Sequence, residues 1–200
     1  MEQKINLQHV VGKGILQEQF MESMQERQMP LNGITNTKVR CREIYKGFTW
    51  GSEEDKQFFS NLGDRSKITC FILCTDWCPD VIWNVPVLFR VMEHARIPTE
   101  VLVMEEHLET MNHFLTNGGR AQPIAVFLDE IGNVLGRWGA RPAYIQAVMD
   151  GFKQSFPDHQ GPYYEEKLNQ TYKEIGDLYR SGSTYQDVMI QELREIVSRF

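Results

Sequence analysis

The sequence predicts an α/β fold: a mixed four-stranded sheet with helices on both faces, a helical leader before it and a helical hairpin after it. Three observations carry this. Between residues 66 and 156, short apolar runs of strand length alternate with stretches of helical spacing in the order β-α-β-α-β-β-α. Beyond the breaker-rich Pro157-Asp158-His159-Gln160-Gly161-Pro162 the pattern is purely helical. The composition, 42% hydrophobic and 24% charged over 200 residues, suits a chain that folds by burying a core and needs no disulfide or metal to do so.

In the leader, Ile15, Phe20, Met21 and Met24 form an apolar stripe in a Gln- and Glu-rich stretch, which predicts a helix stopping at Pro30. Residues 32–37 read as a loop and 39–45 as a short helix. Ser52 ahead of Glu53, Glu54 and Asp55 is a helix start; Phe58, Phe59 and Leu62 continue it and Gly63 closes it. Residues 68–74 are a compact apolar run, expected as a buried parallel strand. Residues 79–95 then take helical spacing, with Val81, Val85, Leu88 and Met92 on one side. A second strand is expected over 99–104, parallel to the first by a right-handed crossover. Leu108, Met111, Phe114 and Leu115 predict an amphipathic helix ending at Asn117-Gly118-Gly119. Residues 123–128 and 134–138 pair as a hairpin about Ile131-Gly132-Asn133, and a last core helix runs from Pro142 to about 156.

In the C-terminal hairpin, Tyr164, Leu168, Tyr172, Ile175 and Tyr179 share a face. Past the N-cap Ser183, so do Val188, Met189, Leu193, Ile196, Val197 and Phe200. Such a hairpin has too little apolar area to stand alone, so it is expected to dock on the core or on a second copy; a homodimer through the helical extensions is the assembly this allows. The expected organisation is a leader over 1–65, a central domain over 66–156 and the hairpin over 157–200.

A net charge of −6 leaves no general basic footprint for nucleic acid or an anionic membrane, so neither is an expected partner. No run approaches 18 apolar residues. Residues 1–11 lack a basic segment leading into an apolar run, so no secretory signal is expected and the location is read as cytoplasmic. His9, His94, His107, His113 and His159 are scattered and no Cys-x-x-Cys exists, so no metal is expected. The methionines fall at core spacing, no Gly-rich phosphate loop or Gly-x-Ser-x-Gly elbow is present, and no cofactor is implied.

Of the four cysteines, Cys78 stands where the first strand gives way to a helix, with Pro79 at the first helical position. A sulfur capping a helix faces its unpaired N–H groups, which favour the thiolate; Asp76 and Asp80 oppose it by like charge. On helix position alone, a reactive thiol and a plain capping thiol are equally served. Cys70, Ile72 and Cys74 alternate onto one face of the strand and read as core, and Cys41 offers no mechanism.

Trp77-Cys78-Pro79-Asp80-Val81, with Pro86 further along the helix, resembles the Trp-Cys-x-x-Cys active site of thioredoxins. Gln122-Pro123 before a strand resembles that family's cis-proline, and Gly132 with Gly139 its final hairpin; the resemblance covers residues 66–155. The chain is also similar to thioredoxin-like proteins with a single-cysteine Trp-Cys-x-Asp site, a Gly-Gly-Arg before the cis-proline and a helical C-terminus. The resemblance implies a thioredoxin-like fold, Cys78 as nucleophile, and Trp77, Pro79, Gln122 and Pro123 as the surface that meets a substrate. It also exposes two departures. Val81 stands where the resolving cysteine belongs, and Ile72 where the family has a buried acid.

A one-cysteine cycle remains open: attack of Cys78 on a mixed disulfide, then resolution by an external small thiol. Protein or small-molecule disulfides and low-molecular-weight thiols are then the partners. Arg120, in the loop before Pro123, is the expected cation for a substrate carboxylate or for the Cys78 thiolate, whereas Arg141 reads as a helix-start tie. Trp77 is expected to shield the thiol and Trp83 to pack. Cys74 is the candidate for an internal resolving thiol. The alternative is a thioredoxin-fold binding or scaffold module that has lost turnover.

Overall fold

Alternation along one short strand sorts the whole core in the computed structural model, which describes residues 5–65 and 67–200. Strand β1 (Thr69–Cys74) sends Cys70, Ile72 and Cys74 into one hydrophobic cluster and Phe71 and Leu73 into a second on the other face. All five are fully buried, as expected for an inner strand of a sheet covered on both sides. Strand β2 (Thr99–Val103) runs parallel to β1, while β3 (Ile124–Leu128) pairs antiparallel with β1 and β4 (Val134–Gly139) antiparallel with β3. The sheet order is β2-β1-β3-β4.

The helices are α1 (Gln17–Ser23), α2 (Thr37–Gly47), α3 (Glu53–Arg65), α4 (Pro79–His94), α5 (Leu108–Asn112), α6 (Ala143–Ser155), α7 (Tyr164–Arg180) and α8 (Thr184–Val197). The larger cluster joins α2, α3, α4, α6, α7 and α8 to one sheet face. The opposite face is covered by Met111 of α5, Phe114, and Leu7 and Val10 of the N-terminal arm.

That arm is a strap. At Asn6 it bridges Asn133, just ahead of β4, and at Ile15 it bridges Val101 of β2, with Ile15 N–H to Val101 C=O at 2.9 Å and the reverse bond at 2.8 Å. It therefore crosses from one outer strand to the other. At the β3–β4 turn Gly132 has φ +80°, and a side-chain carbon there would lie 2.5 Å from the Gln8 backbone nitrogen, so only glycine lets the arm pass this close.

The hairpin docks on the core of its own chain. Trp83 of α4 stacks on Tyr179 at 5.6 Å and 4°, and Tyr185 meets Tyr179 edge-on at 5.1 Å. Trp138 of β4 donates its indole N–H to Glu192 at 2.7 Å, and Arg194 reaches Asp55 at 2.7 Å and Glu54 at 2.6 Å on α3. Among the described residues no helix is long and apolar enough to cross a membrane.

Several elements differ from expectation, each for a tertiary reason. The leader helix ends at Ser23 and not at Pro30, because the following backbone is captured elsewhere. Gln25 N–H donates to Asp76, Arg27 N–H to the Thr37 hydroxyl, and Met29 pairs with Ile34. Helix α2 begins earlier than expected, at Thr37, where the Asn36 side chain accepts from the Val39 N–H at 3.0 Å. The Ser52 cap on Asp55 forms as expected, but α3 passes through Gly63. Helix α5 stops at Asn112; Asn117 and Gly118, both with positive φ, make a turn closed by the Thr116–Gly119 pair, and Phe114 is buried without helix. Ser183 caps α8 through its carbonyl and not its side chain. The readings at residues 1–4 and at Ser66, the expected domain boundary, lie outside the described residues.

Candidate active site

The segment from Thr75 to Pro79 leaves the end of β1 and turns into α4, so its side chains stand at the sheet's carboxyl edge. The leader clamps its first half: Arg27 Nη1 lies 2.8 Å from Asp76 Oδ2, which also accepts from the Gln25 N–H at 2.7 Å. Trp77 is 47% exposed and donates its indole N–H to Glu105 at 2.6 Å. It borders a cleft of about 260 Å³ that Phe20, Arg27, Thr75 and Glu106 also line.

Cys78 is the N-cap of α4 and Pro79 its first residue. Its carbonyl accepts from Val81 N–H at 3.1 Å, and its Sγ lies 3.6 Å from the Gln122 carbonyl and 4.0 Å from Asp80 Oδ2. The Gln122–Pro123 peptide is cis. Cys78 is the one part-exposed thiol; Cys41, Cys70 and Cys74 are buried and all four are unbridged.

The helix end does ease ionisation of Cys78, as read from the sequence, but it is outweighed. Burial, with the Asp80 charge second, pushes its thiol up to about 12. The Val81 and Asp80 N–H groups and Arg141 act in the opposite sense and lose. Desolvation penalises the full charge of the thiolate, whereas the helix end offers it only partial charges. At neutral pH Cys78 is a thiol. Burial also lifts Cys74 well above the ordinary thiol range, with Cys41 and Cys78 adding to it.

Asp80 carries the main surprise. It is 5% exposed at the start of an apolar helix and receives a two-pronged ion pair from Arg141, Nη2 to Oδ2 at 2.6 Å and Nε to Oδ1 at 2.8 Å. Tyr179 of α7 donates its hydroxyl to the same Oδ1 at 3.1 Å and accepts from Asn84 at 2.8 Å. Burial raises the Asp80 carboxyl, and Arg141 and Tyr179 counter it. Arg141 continues to Gln146 at 3.0 Å, and Gln146 to Asp150 at 2.8 Å.

Arg141 is therefore no simple helix-start tie, and it is the cation beside Cys78. Arg120, which sequence reasoning placed in that role, is exposed and donates to Asn112 Oδ1 at 3.0 Å. The missed signal was Asp80 itself: a charge on the buried side of an apolar helix start demands a partner. Gln122 and Thr75 are buried, and their Oε1 and Oγ1 have no hydrogen-bond partner among the described residues. Val81 and Ile72 are fully buried, and Trp83 packs against the hairpin as expected.

The family model described as Thioredoxin matches residues 14–155, a span that takes in the leader as well as the sheet. Among curated proteins nothing matches. Two solved structures are similar in fold. A protein of unknown function from Pseudomonas aeruginosa is 18% identical with a TM-score of 0.53, the match covering 88% of this chain and 96% of that one. An HIV epitope-scaffold is 16% identical with a TM-score of 0.59, over 98% of this chain and 99% of that one.

Proposed function

The chain belongs to the thioredoxin family, and we propose that it performs thiol–disulfide exchange through Cys78 alone, at a single-cysteine Trp77-Cys78-Pro79-Asp80 site. One observation carries this reading: the only part-exposed thiol caps α4 with its sulfur 3.6 Å from the carbonyl that precedes cis-Pro123. A disulfide laid along Gln122 and Pro123 meets that sulfur, with Trp77 and Pro79 as the other walls. Arg120, exposed one loop earlier, is the cation a carboxylate-bearing thiol would reach.

The Cys78 thiolate attacks one sulfur of R–S–S–R′. A Cys78–S–S–R bond forms, the original S–S bond breaks, and R′ leaves as thiolate. With Val81 where a second thiol would stand, an external thiolate completes the cycle by attacking the R sulfur, which releases the Cys78 thiolate and R–S–S–R″. The reducing compartment expected from the sequence supplies that thiol. A thiol held protonated reacts slowly at neutral pH, and below its pKa its thiolate fraction grows about tenfold per pH unit.

The test is a trap. The protein is incubated with glutathione disulfide, cystine or cystamine between pH 7 and 9, and adducts are mapped by mass spectrometry. The expected result is one adduct, on Cys78, formed faster at higher pH and removed by excess thiol; no adduct on Cys78 across that range overturns the reading. The protonated thiol favours a second reading, a thioredoxin-fold binding module without turnover. Under that reading Cys78→Ser leaves binding to a partner protein unchanged.

A further inference from the structure

Asp80, Arg141 and Tyr179 come from three separate places in the chain: the first turn of α4, the loop between β4 and α6, and the hairpin beyond the family match. They converge on one buried carboxylate 4.0 Å from the Cys78 sulfur. A two-pronged guanidinium fixes both oxygens in direction, and the phenol, itself held by Asn84, fixes one of them again. This is more restraint than a helix start needs, since Cys78 already caps α4 and the family-matched span ends before Tyr179. We propose that Asp80, Arg141 and Tyr179 form a positioning unit for Cys78: the carboxylate, fixed by guanidinium and phenol, governs how readily the thiol reacts, so helix α7 completes the site.

The charged and titratable groups that act on Cys78 are Asp80 on its own helix, Arg141 from the loop after β4, Tyr172 from α7 and Cys74 from β1, with Tyr179 of α7 bonded to Asp80 behind them. Burial raises the phenols of Tyr172 and Tyr179 above the ordinary tyrosine value, so neither is charged near neutral pH. Asp80 and Arg141 are therefore the two groups whose charge acts on the sulfur, and they act in opposite senses. Tyr179 acts through Asp80 by donating to it. The proposal deepens the exchange reading, but its test does not depend on exchange.

The experiment follows iodoacetamide alkylation of Cys78 against pH in the full chain, with the Cys78 peptide quantified by mass spectrometry. Asp80→Asn is expected to lower the midpoint by about one pH unit or more. Arg141→Gln raises it. Tyr179→Phe, which changes no charge but frees one tie on the carboxylate, moves it in the Arg141→Gln direction by less. The double variant Asp80→Asn with Arg141→Gln removes the buried charge that either single change leaves unpaired. It therefore keeps the test available if Arg141→Gln fails to fold, and its midpoint is expected below wild type and above Asp80→Asn. Circular dichroism checks each fold. Shifts of one sign for Asp80→Asn and Arg141→Gln, or a double variant at or above wild type, overturn the unit, and an unmoved midpoint in Tyr179→Phe removes the hairpin from it. If the midpoints move as expected while the disulfide trap stays empty, exchange fails and the positioning unit stands.

Discussion

Trp83→Ala tests how the hairpin is held. Trp83 is 5% exposed, stacks on Tyr179, meets Tyr185 edge-on at 6.2 Å and carries the Arg40 guanidinium 5.5 Å from its ring centre. Truncating a buried tryptophan to alanine costs about 3–5 kcal/mol. The two aromatic pairs add about 1 kcal/mol each beyond area. Against this, the indole N–H is buried with no hydrogen-bond partner among the described residues, and removing it returns about 1–3 kcal/mol. The net loss is about 4 kcal/mol. For a chain of this size each kcal/mol moves the melting temperature by about 2–4 °C, so the fall is about 8–16 °C. Trp83→Phe keeps a ring in the stack and drops the stranded N–H, and it should stay within about 1 kcal/mol of wild type. Thermal unfolding gives both numbers. Hydrogen exchange locates the loss, which should appear first in α7 and α8 and later in β1 and β3. A melting temperature within about 2 °C of wild type for Trp83→Ala, or equal damage from both substitutions, would refute the ring cluster as the docking element.

Other perturbations separate the remaining claims. Val81→Cys places a thiol at dithiol spacing, so mild oxidation should give a cross-link between Cys78 and position 81, seen as a loss of two free thiols by mass spectrometry. Arg141→Gln strands the buried Asp80 carboxylate and should cost about 3–5 kcal/mol at pH 7 by urea unfolding. Burial already raises the folded Asp80 carboxyl above its unfolded value, and losing Arg141 raises it further, so the penalty is full above the variant's folded value, shrinks as pH falls through it and is gone by about pH 4. Gly132→Ala, at φ +80° against the Gln8 backbone, should destabilise by more than about 1 kcal/mol in a denaturant titration.

What the sequence makes legible depends on the range of the forces involved. The strands and the Cys78 cap could be read directly because their signals are local: uninterrupted apolar runs of strand length, and a proline one residue after the sulfur. The reactivity of Cys78 could not, because its helix end is local whereas its burial and the fixed Asp80 charge are tertiary. Arg141 lies 61 residues from Asp80 and Tyr179 lies 99, so nothing near Asp80 names its partners. The leader failed for the same reason. Its helical stripe is genuine, but Asp76 and Thr37 offer its backbone better partners than another helical turn would.

The strap that joins the two outer strands has a consequence for solubility. An outer strand normally offers a free row of backbone donors and acceptors on which another chain can build. Here a single stretch of the N-terminal arm occupies part of that row on β2 and meets the start of β4. Growth of the sheet by addition of a foreign strand at β2 must first peel away the arm. Because the same arm also packs Leu7 and Val10 against the sheet's face, that peeling uncovers apolar surface in the same step. Guarding against aggregation is thereby coupled to core packing, and loss of the arm should convert a folded chain into a nucleus for sheet stacking.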